Sequence, residues 1–168
     1  MLTAKSKLVS SLLLFIVLLD QASKIIVNRT IPLHHSIPVI DGLFSLTYIR
    51  NKGAAFGLFA ETHETFRFFF LIIFSILAIG FIVMMLRKLP ERENGMIIAL
   101  TFILGGAIAN LIDRVFYGEV IDFLDFYWSR YHWPAFNFAD SFITSGVILT
   151  LYRLIISKGD DPFAQSGE

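Results

Sequence analysis

Four runs of predominantly apolar residues, Leu8–Val27, Phe66–Leu86, Gly95–Ile112 and Phe138–Ile156, each approach the length a helix needs to cross a bilayer. A hydrocarbon core about 30 Å thick takes about 20 helical residues. Backbone amides can lie in it only in a helix or a closed barrel, which leave none of them stranded. Composition agrees: 55% of the chain is apolar, 17% is charged and 18 residues are Phe, more rings than one small water-soluble core needs. The pattern predicts a mainly α membrane protein with four transmembrane helices over about 8–27, 66–86, 95–112 and 138–156. These form a single domain, 1–156, followed by a disordered cytoplasmic tail, 157–168. Fourteen basic residues balance fourteen acidic ones, which removes the electrostatic footprint of a nucleic-acid binder. The absence of Cys excludes disulfides, a thiol nucleophile and cysteine-ligated metals. The first run follows Lys5 and Lys7, as a cleaved leader does. Cleavage after Ala22 would place Asp20 where such sites need a small residue, so a retained span is expected.

Basic residues set the expected orientation. Arg87, Lys88 and Arg92 crowd the short connection between the second and third runs, and Lys5 and Lys7 precede the first. Those sides are expected to be cytoplasmic. The long connections 28–65 and 113–137 hold only Arg29, Arg50, Lys52, Arg114 and Arg130 and are expected to face outward. Within the first of them, Asp41-Gly42 sits between β-branched and aromatic residues, the signature of a hairpin. A small β-sheet resting on the membrane surface, inserted between helices 1 and 2, is expected there. Glycines at Gly80, Gly105 and Gly106 suggest close helix packing.

Ionisable residues in or beside a span are costly and are therefore candidates for function. Asp20 and Lys24 lie four apart and share a helix face, which reads first as a structural ion pair. Asp113 and Arg114 are adjacent and diverge, so each should pair with another element; Asp113 reads as structural and Arg114 as an organiser of neighbouring carboxylates. Asp122 and Asp140 both fall near the outer boundary. If the second loop folds back they converge, and two close carboxylates share a proton, so that one activates water while the other protonates a carbonyl oxygen or leaving amine. The plainer readings are that Asp140 caps its helix and Asp122 is a solvated loop acid. Asp125, three residues along, competes with Asp122. His63-Glu64 lacks the second His of a zinc-protease motif, and no phosphate loop is present.

Five local patterns occur in order along nearly the whole chain: Asp20-Gln-Ala-Ser-Lys24, Arg50-Asn-Lys-Gly-Ala-Ala-Phe56, Gly105-Gly-Ala-Ile-Ala-Asn-Leu-Ile-Asp-Arg114, Gly118-Glu-Val-Ile-Asp-Phe123 and Phe136-Asn-Phe-Ala-Asp-Ser141. Together they resemble the lipoprotein signal peptidases, or signal peptidase II, of the bacterial inner membrane. One departure is visible, Ala109 where the family has Gly. The resemblance implies an aspartic endopeptidase, without metal or cofactor, that removes signal peptides from diacylglyceryl-modified prolipoproteins by cutting before the lipidated Cys. It implies catalytic roles for Asp122 and Asp140, and active-site positions for Asn51, Asn110, Arg114 and Asn137. Asp20, Lys24 and Asp113 match motif positions read as structural. Prolipoproteins and membrane lipids are the implied partners, both termini are expected to be cytoplasmic and the site periplasmic, and the oligomeric state is left open, a monomer being compatible with the resemblance. Phe56, Phe59, Phe123, Phe126, Tyr127 and Trp128 are candidates for contact with acyl chains or headgroups. The alternative reading is a small proton-coupled transporter with Asp20, Asp113 and Asp140 as its relay.

Overall fold

The computed structural model describes residues 3–53 and 63–156. The tail 157–168, and with it the expectation of disorder, lies outside the described residues, as do Phe56 and Phe59. Four helices carry the fold: α1 (Ala4–Thr30), α2 (Glu64–Lys88), α3 (Asn94–Tyr117) and α4 (Phe138–Ile156). All four are long and apolar enough to cross a membrane. Thr3 starts α1 by accepting from the Ser6 backbone N–H at 3.2 Å. Gly118, at φ 73°, ends α3 in the left-handed conformation, its N–H donating to the Arg114 carbonyl. Asp113 and Arg114 therefore lie inside the last turns of α3, not in a loop beginning at 113. The helix can continue through these charges because partners on other elements meet them.

A four-stranded antiparallel sheet, in the order β1-β2-β3-β4, packs at one end of the helices: β1 (Ser36–Ile40), β2 (Phe44–Asn51), β3 (Val120–Trp128) and β4 (Tyr131–His132). The β1–β2 hairpin turns at Asp41-Gly42, with Gly42 at φ 77°, as its sequence signals. The sheet is larger than the first connection alone, because β3 and β4 come from the segment between α3 and α4. The pairs Ile49↔Asp122, Arg50↔Ile121 and Asn51↔Val120 join the two connections. Val27 and Ile31 of α1 pack with Tyr48, Ile121 and Phe123 and fasten the sheet to the bundle. Phe123 is thus a core residue, not a lipid contact, whereas Trp128 is 82% exposed.

Within the bundle, α3 is central: 56% of its apolar span is buried, against 17% or less for the other three. Their outward faces carry Leu14, Phe15, Phe69, Leu77, Ile148 and Leu151, all exposed and suited to lipid. A methyl built on Gly106 would overlap the Ala139 carbonyl, one on Gly146 the Ala99 carbonyl, and one on Gly105 the Ile16 side chain. Small residues at those points let α3 approach α4 and α1 closely. Gly80, by contrast, faces open space, so the close packing expected there is absent. Gly106→Val is expected to lower stability by about 2 kcal/mol or more through backbone overlap. Gly80→Ala should be neutral or stabilise by up to about 1 kcal/mol. Unfolding of the purified variants in mixed detergent measures both.

Candidate active site

The site grows from one buried cation. Lys24 points from α1 into the junction of α3, α4 and β3 and is 2% exposed. Its Nζ lies 2.7 Å from Asp20 Oδ2 and 2.8 Å from Asp113 Oδ2, and donates to Asn110 Oδ1 at 3.0 Å. An ammonium has three donors and no acceptor, so its hydrogen-bonding capacity is filled. The carboxylates are satisfied in turn. Asp20 Oδ1 accepts from the Ala139 N–H at 2.8 Å, tying α1 to the start of α4. Asp113 accepts from Gln21 Nε2 at 2.8 Å and from the Ile121 N–H at 3.2 Å, tying α3 to α1 and β3. The ion pair read from the Asp20–Lys24 spacing is present, and its larger partner set is a product of packing.

Asn110 passes this order on. Because its Oδ1 faces the ammonium, its Nδ2 must point the other way, and it donates to Asp140 Oδ1 at 2.8 Å. Asn137 caps α4 reciprocally with Asp140: Asn137 Oδ1 accepts from the Asp140 N–H at 2.9 Å, and Asp140 Oδ2 from the Asn137 N–H at 3.3 Å. That arrangement leaves Asn137 Nδ2 free to donate to Asp122 Oδ1 at 2.7 Å. Asn51, on β2, donates to Asp122 Oδ2 at 3.1 Å, and its own Oδ1 accepts from the Gly53 N–H. Asp122 is therefore held by the side-chain amides of Asn51 and Asn137, and Asp140 by that of Asn110 and the backbone N–H of Asn137, so that Asn137 links the two. Asp140 thus caps its helix through Oδ2, as its position suggests, and meets Asn110 through Oδ1.

Burial, and after it the negative charge of Asp140, push the Asp122 carboxyl up to about 7, against the Asn51 and Asn137 donors that favour its ionised form. The Asp122 carboxyl can therefore hold a proton near neutral pH. Both carboxylates border a cavity of about 710 Å³ with Asn51, Asn110 and Arg114. Its walls are apolar, with Leu71 and Phe74 from α2, Ala107 from α3, Ile143 from α4 and Trp133 to Phe136 from the segment after β4. Asn137 is fully buried behind the carboxylates and does not line the cavity. Arg114 lies within electrostatic reach of Asp140, Asp113 and Asp122. Its Nη1 donates to the Asn110 carbonyl at 3.5 Å, and its Nε is buried with no hydrogen-bond partner among the described residues. Asn110 and Asn137, rather than Arg114, do the direct positioning.

Asp125 lies three positions beyond Asp122 on the same strand, an odd spacing, so the two point to opposite faces. It accepts from His132 and does not reach the cavity. Gln21 and the Trp133–Phe136 wall were not singled out from sequence: a glutamine on an apolar helix and an aromatic-rich loop carry no spacing signal of their own.

The family pattern described as signal peptidase (SPase) II matches residues 12–156. The chain belongs to that family. It is 53% identical over 137 residues to the lipoprotein signal peptidase of Geobacter sulfurreducens, covering 82% of this chain and 84% of that one. Identity to the lipoprotein signal peptidase of Nitratidesulfovibrio vulgaris is 42% over 154 residues, covering 92% and 93%. The fold is similar to two solved structures described as bacterial membrane enzymes. Their TM-scores are 0.80 and 0.76 at 32% identity, over 91% and 89% of this chain and 92% and 93% of theirs.

Removing one partner from a filled, buried ion cluster leaves uncompensated charge, at a cost of about 3–5 kcal/mol. Lys24→Met is expected to destabilise by that amount. Lys52, 56% exposed and 3.6 Å from Glu119, forms a surface pair worth at most about 1 kcal/mol. Detergent unfolding of Lys24→Met beside Lys52→Met tests the contrast.

Proposed function

We propose that the protein is a multi-pass membrane aspartic endopeptidase, with Asp122 and Asp140 as its catalytic pair. It removes signal peptides from diacylglyceryl-modified prolipoproteins, cutting before the lipidated Cys. The observation that carries this reading is that two carboxylates from separate elements are oriented by linked asparagines at the edge of an apolar cavity. The ionised member takes a proton from water, whose oxygen attacks the scissile carbonyl carbon. The protonated member donates to the carbonyl oxygen. Collapse of the tetrahedral intermediate breaks the C–N bond, and the leaving amine of the lipidated Cys takes up a proton from the pair. Asn51, Asn110 and Arg114 present polar groups to the substrate, and Asn137 positions Asp122. The apolar walls suit a signal helix and acyl chains arriving from the bilayer.

The concentration of Arg87, Lys88 and Arg92 between α2 and α3 supports a cytoplasmic placement of that connection, which puts the pair at the outer face. The transporter reading loses support, because Asp20 and Asp113 are both engaged by Lys24 and leave a relay without two of its carriers.

Cleavage of a lipid-modified prolipoprotein by the purified enzyme tests the assignment, with the unlipidated precursor as control. Asp122→Asn and Asp140→Asn should each lose at least about 100-fold in kcat while remaining folded, whereas Asp41→Asn, in the exposed β1–β2 turn, should cleave normally. Full activity in either of the first two variants would sink the choice of residues. The rate should also trace a bell against pH. As pH rises through about 7, the carboxyl at Asp122 loses the shared proton and the acid is gone, so the rate falls; at low pH both members are protonated and the base is gone. A flat profile from about pH 4 to 9, with the fold intact, is incompatible with a shared proton.

A further inference from the structure

The segment from Trp133 to Phe136 forms one wall of the cavity, yet the hairpin that delivers it is weak by itself. β4 contributes two residues, paired Tyr127↔His132 and Trp128↔Tyr131. Ser129, at the turn, adopts φ 56°, a left-handed conformation that costs a non-glycine residue energy. So short a ribbon needs a side-chain contact in addition to its backbone ladder to hold one position. Asp125 supplies it. This carboxylate is 6% exposed, faces away from the cavity, and receives His132 Nδ1 at 2.9 and 3.0 Å on its two oxygens. A carboxylate only accepts, so Nδ1 carries the proton. The His132 ring also stacks on Tyr127, with centroids 4.9 Å apart. Beyond the pair, the chain runs back along β3. The Trp133 N–H donates to the Phe126 carbonyl at 2.8 Å, and the Phe136 carbonyl accepts from the Phe123 and Leu124 N–H groups.

We propose that the Asp125–His132 hydrogen bond is a positioning device for substrate: it pins the β3–β4 hairpin so that Trp133 to Phe136 stands as a fixed wall of the cavity. Asp125 pairs with Ser45 one step in from the end of the β2–β3 ladder, so the pin references the wall to the same strand that carries Asp122. The pin makes no contact with Asn110 or the Lys24 cluster, and Asn137, at the end of the wall, is held separately by its bonds to Asp140 and Asp122. The effect of releasing the pin therefore falls on substrate binding and not on proton transfer. This inference rests on the reading of the cavity as the substrate site.

Two substitutions separate the hydrogen bond from the ring stack. His132→Phe keeps a ring over Tyr127 and removes the donor. His132→Asn removes the ring and places an amide nitrogen near the position of Nδ1. Steady-state cleavage of the lipid-modified prolipoprotein is measured together with amide hydrogen exchange at Trp133, Phe123 and Leu124. His132→Phe should raise KM about tenfold, with kcat within about threefold of wild type, and speed exchange at Trp133; His132→Asn should return both towards wild type. His132 is 53% exposed, so folding should survive, and His132→Gln, whose amide reaches past Asp125, serves as a second donor-misplaced variant. Unchanged KM and exchange in His132→Phe, or loss of both in His132→Asn but not His132→Phe, overturns the proposal. A wild type that cleaves nothing refutes the activity, and the exchange rates then decide the pin alone.

Discussion

One ammonium, withdrawn from water and surrounded by two carboxylates and an amide, organises the polar groups where α1, α3, α4 and β3 meet. Burying Lys24, Asp20 and Asp113 together carries a large desolvation cost, which only complete pairing offsets. The pairing is complete: Lys24 has three partners, Asp20 also holds the Ala139 N–H, and Asp113 also holds Gln21 and the Ile121 N–H. The cluster thereby joins α1, α3, α4 and β3 at a point that apolar packing alone would leave free to slide. Helices in lipid gain little from burying one apolar face against another, so specific polar contacts and close-fitting small residues must fix their register. Gly106 against Ala139 supplies the second of these within a turn of Asn110.

The order of the two cavity carboxylates follows from that structural order through the amide of Asn110. An asparagine in a neutral pocket could present either end to Asp140. Here the ammonium selects the oxygen, and the donor is left for the carboxylate. Asn137 is constrained in the same way by its capping bond to the Asp140 N–H, which directs its Nδ2 to Asp122. The two acids are thus aimed by groups that are themselves held, and the low-dielectric site raises the proton affinity of Asp122 into the neutral range. The cavity beside them is apolar on its helical sides and aromatic on its loop side, a setting for a substrate that is part helix and part lipid.

Much of this was legible before any coordinates. The spans are visible because lipid demands unbroken apolar runs, and the β1–β2 hairpin because Asp-Gly takes a turn that few other pairs can. Asp122 and Asp140 stood out because acids beside a membrane are rare. Other features had no local signature. That β3 pairs with β2 depends on two connections meeting in space, with Asn51 bonded to Asp122 across 71 positions. Asn137 reads as a cavity residue and is buried behind it. Gly80 and Gly106 look alike in sequence, yet only the second meets a neighbour, because the side of a helix that faces lipid is not marked by glycine alone. Asp125, a rival to Asp122 by proximity, is turned away by the pleat once the segment is known to be a strand.

The sequence by itself determined the number of spans, the turn of the first hairpin, the sharing of one helix face by Asp20 and Lys24, and the family through five ordered motifs. Helical and strand periods relate a residue only to its own element's axis, so they predict such local facts well. The tertiary structure decided which charges meet: that Lys24 serves Asp113 as well as Asp20, that Asp20 reaches Ala139 across 119 positions, and that two asparagines aim two aspartates at one cavity. Those contacts depend on how the helices rotate and approach one another. Close packing, together with the cost of leaving a buried charge or amide unpaired, selects one such arrangement among many that the same periodicities allow.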